Sequence, residues 1–135
     1  MKLFRLTIAA LGLGLLGQMA FAHHSTNGIY DETREIELTG KVKEWRFINP
    51  HPSLILEVTG ADGKLQEWDI SYGGSAVTHL MRRGYTGDTF KDGDELVFKG
   101  NPAKVEGAYG LLVRENPKRP DGTSVPAAPP AAARE

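Results

Sequence analysis

The sequence predicts a mainly β protein with five strands and one short helix between the third and the fourth strand. Three observations support this fold class. Apolar and polar residues alternate over short stretches, Gly-containing turn signals separate these stretches, and the segment SAVTHLMRRG has the spacing of a helix.

The first predicted strand begins at Glu35 and contains an irregularity. Its apolar side chains occupy even positions and then odd ones: Ile36, Leu38 and Val42, followed by Trp45 and Phe47. A β-bulge between Val42 and Trp45 would keep all of them on the inner face despite this shift. Gly40 lies on the same inner face, where a missing side chain suits a sharp bend.

A loop, INPHPS, follows at Ile48 to Ser53, because Pro50 and Pro52 lack the N–H that a sheet ladder needs. The second and third strands are expected at 54–58 and 65–71. An Asp62-Gly63 turn joins them into a hairpin.

The helix is expected to begin with Ser75 as its N-cap and to end at Gly84. Its apolar stripe is formed by Val77, Leu80 and Met81. The last two strands are expected at 95–99 and 109–114. This order predicts a small five-stranded OB-like Greek-key barrel with one short helix between strands 3 and 4. A two-sheet sandwich is the alternative, and the low strand count disfavours it.

The two ends of the chain differ in composition from the rest. Residues 1–22 have a basic start, an apolar run and the small-x-small end Ala20-Phe21-Ala22, which is the layout of a secretory signal peptide. Residues 116–135 are rich in proline and alanine, which predicts a disordered tail. The barrel domain is therefore expected at 23–115.

Charge and cysteine content exclude several classes of function. Loss of the leader would remove two of the 16 basic residues and none of the 17 acidic ones, which leaves a formal charge of -3. A mildly acidic chain lacks the basic patch expected of a nucleic-acid-binding protein. The chain has no cysteine, so disulfides, thiolate metal sites and cysteine nucleophiles are excluded.

Several motifs resemble one known family. They are HHS after the leader, LTGKVKEWRFINPH across the first strand, LMRRGYT after the helix and KDGDELVFKGNPAK before the last strand. They resemble a family of small exported proteins of Gram-negative bacteria that is catalogued as a domain of unknown function. The resemblance covers most of residues 23–115, and the pairing of HHS with NPH is its most specific element. It implies a periplasmic, OB-like β-barrel and no assigned activity.

The histidines suggest a metal site. Cleavage after Ala22 would make His23 the mature N-terminus, where its α-amine and imidazole can chelate one ion. A further imidazole from His51, or His24 in its place, would complete the square-planar nitrogen set that Cu(II) prefers. Because these nitrogens must be deprotonated, affinity for copper should fall as pH falls. The sequence thus predicts a non-enzymatic periplasmic binding module, with copper as its small ligand.

Other interpretations of the same residues remain open. The histidines at the terminus can simply be solvated, and His51 can fix its loop together with Asn49. His79 is expected at the surface, because it lies off the apolar stripe of the helix. The protein would then be an envelope interaction or stress protein with incidental histidines. An oxidative copper enzyme is a further alternative, which the short loops disfavour.

Aromatic side chains could provide a ligand-binding face. The aromatic residues of this face are Trp45, Phe47, Trp68 and Tyr72, with Tyr85 beside them. The side-chain amide of Asn49, in the neighbouring loop, would complete the face. OB-folds use such faces for oligonucleotides and sugars. Aromatic residues at alternating strand positions more often belong to the core.

Overall fold

The computed structural model describes residues 26–127. The strands are β1 (Ile36–Arg46), β2 (Ser53–Thr59), β3 (Leu65–Ser71), β4 (Glu95–Pro102) and β5 (Gly110–Val113), and helix α1 (Val77–Arg82) lies between β3 and β4. A short 3-10 turn at Thr26–Gly28 precedes them. The predicted mainly β fold with one helix at this position is confirmed. Within the described residues, no helix is both long and apolar enough to cross a membrane.

The strands close into a barrel in the order β1-β2-β3-β5-β4. The β3–β5 pair is parallel and the other pairs are antiparallel. β1 closes the barrel because its first half pairs with β4 and its second half with β2. The result is the five-stranded OB-like barrel that the order of elements predicts.

The bulge expected in β1 is present. The pairing register shifts between Val42 and Glu44, and the rings of Trp45 and Phe47 beyond it pack against the core. Gly40 lies where the backbones of β1 and β2 approach closely, because a Cβ there would be 2.3 Å from the carbonyl oxygen of Glu57. Because Gly40 has no side chain, β1 can pair with β4 in its first half and come close to β2 at the point where the second pairing begins.

Inward side chains from all five strands form one core. Its largest fully buried strand residues are Leu54, Leu56, Ile70, Leu96, Phe98, Leu111 and Leu112. An aromatic cluster joins this core and consists of Trp45, Phe47, Tyr72, Tyr85 and Phe90, whose neighbouring ring centroids are 5.0–6.3 Å apart. Aromatic pairs at such distances stabilise a fold beyond the area that they bury. In a chain without cysteine, this packing has to supply the stability.

Helix α1 differs from its prediction in two details. Leu80 is fully buried, but Met81 is 57% exposed, so the apolar stripe is narrower than expected. Ala76, not Ser75, is the N-cap, and its side chain makes no capping hydrogen bond. Ser75 instead closes the preceding turn, where its N–H donates to the Tyr72 carbonyl over 3.3 Å. Gly84 follows the helix with a positive φ of 90°, as predicted.

The first part of the predicted disordered tail is ordered, which corrects the sequence analysis. Residues 116–127, here called the C-terminal strap, bridge β4 at Val97 and fold back on themselves, since Lys118 also bridges Ser124. Lys118 and Val97 exchange two backbone hydrogen bonds of 2.8 and 3.0 Å, and Val125 is only 6% exposed. These long-range contacts offset the entropy cost of ordering the strap. Its composition alone predicts that this cost is too large to be offset. Residues 128–135 lie outside the described part of the chain, as do the predicted leader, His23 and His24.

Docking of the strap can be tested with two matched valine substitutions. Val125→Ala removes two buried carbon atoms and is expected to lower the free energy of unfolding by about 1.5 kcal/mol. Val105→Ala is the control, because Val105 is 71% exposed and should be nearly neutral. Urea denaturation monitored by tryptophan fluorescence measures both. Equal stability of the two variants would mean that the strap does not dock.

Candidate functional site

An open cleft of about 320 Å³ lies beside the loop between β1 and β2. This His51 cleft is lined by Tyr30, His51, Pro52, Ser53, Asp69, Ser71 and Gly74. Ser53 and Ser71 face each other across the β2–β3 pair and form its floor. The β2–β3 face and the loop between β1 and β2 are where OB-folds bind ligands, so the cleft occupies the expected position.

The loop that carries His51 is anchored on both sides. The buried ring of Pro52 lies at its end. At its start, the Asn49 side-chain oxygen accepts a hydrogen bond of 3.4 Å from the Val77 N–H, the first residue of α1. Asn49 thus does the capping that the sequence assigned to Ser75. The loop is thereby tied to the helix, and His51 is exposed between the two anchors.

The anchoring role of Asn49 gives a matched pair of variants. Asn49→Ala should lower the free energy of unfolding by about 0.5–1 kcal/mol, which is the lower part of the range for a lost N-cap. Ser75→Ala should change stability less, because Ala76 and not Ser75 is the N-cap of the helix. Chemical denaturation checks both. A larger loss for Ser75→Ala than for Asn49→Ala would contradict the assignment.

The start of the described chain also lines the cleft, through Tyr30. Tyr30 forms a bridge with Ala103 at the end of β4, and its ring lies over Gly110, where a Cβ would be 3.6 Å from Tyr30 Cε1. The imidazole of His51 lies beside Gly74, where a Cβ would be 3.8 Å from its Cε1 atom. The N-terminal segment and the INPHP loop therefore border the same cleft.

The cleft contains one imidazole, one carboxyl and three hydroxyl groups. Partial burial raises the pKa of the Asp69 carboxyl, and the charge of Arg46 opposes this effect. Among residues 26–127, the His51 ring makes no hydrogen bond with Asp69, Ser53 or Ser71. A nucleophile activated by His51 would need such contacts at about 3 Å. The arrangement is suited to binding through its nitrogen and oxygen groups.

A complete metal site is not formed by the described chain alone. Residues 26–127 contain no group of three histidine, aspartate or glutamate side chains arranged to hold one ion. Of the three predicted ligands, His51 lies in the cleft, and His23 and His24 lie outside the described residues. His79 is exposed on α1, in agreement with its predicted surface position.

A family comparison covers most of the chain. The model of a family of unknown function matches residues 12–113. The chain belongs to this family, DUF6152. The predicted membership of a domain-of-unknown-function family is therefore confirmed. No curated protein and no solved structure matches the chain. The matched part of this DUF6152 protein contains all five strands and the His51 cleft, whereas the C-terminal strap lies beyond it.

The aromatic residues proposed as a ligand-binding face are placed differently from one another in this DUF6152 protein. Tyr72 is buried, and Trp45, Phe47 and Trp68 are partly buried against the core. Trp68 also packs against the exposed ring of Tyr109, 5.3 Å away. The rings do not form one continuous open face, and the ligand-binding role assigned to them stays a prediction.

Two residues of the cleft escaped the sequence analysis. Asp69 occupies an outward position of β3, between the inward Trp68 and Ile70. This position in the sequence pattern predicts an ordinary solvated residue. Tyr30 lies before the first strand, where no periodic pattern fixes its position. The pairing of β3 with both β2 and β5 brings them together. For Asp69, strand parity and the pairing of Ser53 with Ser71 could have supplied the signal.

Proposed function

We propose that this protein is a small, exported, non-enzymatic binding module and that the His51 cleft binds Cu(II). Its ligands are the imidazole of His51 and the nitrogen atoms of His23 and His24, after cleavage of the leader behind Ala22. The observation that carries the proposal is the position of His51 in a cleft that Tyr30, near the start of the described chain, also lines.

The chain can bring the terminal histidines to the cleft. Thr26 and Gly73 border one pocket, and Gly74, the next residue along the chain, borders the His51 cleft. Three residues of extended chain span at most roughly 10 Å. A segment of this length, ahead of Thr26, supports the proposal that His23 and His24 bind the same ion as His51.

The available donor atoms favour Cu(II) over other divalent ions. Imidazole and amine nitrogens suit Cu(II) in a square-planar arrangement, whereas Zn(II) prefers a tetrahedral set. The chain offers no thiolate, since it has no cysteine. Asp69 adds one carboxylate to the cleft, which is available as a weaker oxygen ligand.

A metal titration of the chain beginning at His23 tests the proposal. The expected result is one Cu(II) per chain, bound more tightly than Zn(II) and more weakly as the pH falls. His51→Ala should lower Cu(II) affinity, and His79→Ala is the matched control, because it removes a histidine on the exposed helix. Equal effects of the two substitutions, or no copper binding, would contradict the proposal and leave protein interaction as the function to test.

A further inference from the structure

The C-terminal strap covers part of a strand edge of β4. β1 pairs along one edge of β4, and β5 pairs along the other edge at Gly100, Asn101 and Pro102. Ahead of Gly100, the strap covers this second edge, because Val97 and Lys118 exchange two backbone hydrogen bonds. An uncovered strand edge is a template for pairing with another chain. The edge at Val97 is therefore a place where a strand can be added to the barrel.

Other parts of the strap are held at the end of helix α1. The side-chain oxygen of Asn116 accepts hydrogen bonds of 3.0 Å from Arg83 Nη2 and from the Tyr85 hydroxyl. The ring of Pro126 lies beside Gly84, where a Cβ would be 3.5 Å from Pro126 Cγ. The barrel residues that hold the strap are here called the strap seat, and they are Arg83, Gly84, Tyr85 and Val97.

The strap also has hydrogen bonds of its own. The Val125 N–H donates to the Pro117 carbonyl over 2.8 Å, and Gly122, in the turn between them, has a positive φ of 88°. The Asn116 side-chain nitrogen donates to the Pro126 carbonyl over 3.2 Å, which joins the two ends of the strap. The strap is therefore a small hairpin. Because an isolated hairpin is only marginally stable in water, it gains from a seat, and its internal bonds can move with it from one seat to another.

The barrel is complete without the strap. The five strands close on one another, and the family model ends at residue 113, before the strap begins. Two residues, Arg114 and Glu115, link β5 to Asn116. Release of the strap would therefore break no pairing between the five strands. It would expose the strap seat and the side chain of Val125, which is only 6% exposed when docked.

We propose that the strap seat is a site for strand addition between chains and that its occupant is the strap of a second copy of this protein. An exchanged strap makes the same contacts as the resident one, which is why such exchange is a low-cost route to dimers. A second copy is the occupant that fits, because its strap presents an amide to Arg83 and Tyr85 and buries Val125 at a fixed spacing. None of these residues belongs to the copper site, so this proposal is independent of that one.

The resident strap competes with any strap from another chain. Its covalent link gives it an effective concentration that is roughly millimolar for a short flexible linker. Exchange is therefore expected at comparably high protein concentration, or in a chain whose own strap is weakened.

A labelled peptide of residues 116–127 tests the seat, with full-length chains as receptors. The Val125→Asp chain should bind the peptide saturably, because a charge weakens its own strap. The native chain should bind it at least about tenfold more weakly, because its resident strap occupies the seat. The Val105→Asp chain is the control, since Val105 is 71% exposed, and it should behave as the native chain does. A peptide that carries Val125→Asp should not bind.

Single cysteines test exchange between whole chains, because the native chain has none. Val97→Cys and Lys118→Cys chains are mixed at about 1 mM and treated with oxidised glutathione. Peptide mapping should find a disulfide between position 97 of one chain and position 118 of the other. Val105→Cys replaces Lys118→Cys in the control mixture and should cross-link less.

Three results would overturn the proposal. The first is a peptide that binds neither the Val125→Asp chain nor the native one, or both equally well. The second is equal cross-linking in the two cysteine mixtures. The third is equal binding of a peptide with the same composition in scrambled order, which would make the edge of β4 a general site for extended chains of other proteins.

Discussion

Acetylation of the His23 α-amine is expected to lower the Cu(II) affinity of the mature protein by about a hundredfold. Loss of an outer-shell partner of a metal ligand already costs about 10–100-fold in affinity, and acetylation removes a proposed direct ligand. The α-amine has a pKa of about 8 and lysine one of about 10.4. Acetic anhydride near neutral pH therefore modifies the terminus preferentially, and mass spectrometry identifies the product.

Chemical modification is preferable to lengthening the chain by one residue. An extra residue would move His23 and His24 to the second and third positions, where a new amine, backbone amides and an imidazole can bind copper in another way. Acetylation leaves both imidazoles in place and removes only the amine. Its control is the urea denaturation curve, which should not change. Unaltered copper affinity after acetylation would show that the terminal amine is not a ligand.

Gly100→Ala is expected to cause the largest loss of stability among the single substitutions considered, about 3 kcal/mol, at the upper end of the usual cost of overpacking. A Cβ at Gly100 would lie 2.2 Å from the backbone oxygen of Leu112. Because this neighbour is backbone, it cannot rotate away, and the β4–β5 ladder has to move. β5 is only four residues long, so little pairing is available to absorb the shift.

Gly87→Ala is the matched control for this substitution. No atom lies within 4 Å of a Cβ at Gly87, and its φ is outside the positive region. Alanine there should be neutral or slightly stabilising, by roughly 0.4–1 kcal/mol, because it restricts the unfolded chain. Denaturant unfolding gives both values. Similar stabilities of the Gly100→Ala and Gly87→Ala variants would show that β4 and β5 are not packed as closely as described.

The local pattern of the sequence was enough to predict the barrel. Alternation locates the strands because each is buried on one face, and the shift of parity after Val42 predicts the bulge in β1. Asp62-Gly63 and Gly84 indicate a turn and a helix end through conformations that glycine adopts easily. These features depend on residues near one another in the chain, so periodicity and turn chemistry reveal them.

Long-range contacts explain what the sequence analysis missed. Asn49 caps a helix that begins 28 positions later, and no local signal distinguishes it from Ser75. The C-terminal strap is ordered by hydrogen bonds to Val97 and Arg83, whereas its own composition predicts disorder. At the candidate site, the INPHP motif was enough to predict His51 as a site residue. Asp69 and Tyr30 could not be predicted in this way, because strand pairing brings them close to His51.

The most direct test of the central claim is paramagnetic broadening in NMR spectra of the mature protein with one equivalent of Cu(II). If His51 and the terminal histidines share one ion, the signals of His51, Gly74 and Tyr30 should broaden, because these residues line one cleft. The signal of His79, on the exposed helix, should persist. Broadening confined to the N-terminal residues, with His51 and Gly74 unaffected, would contradict the account.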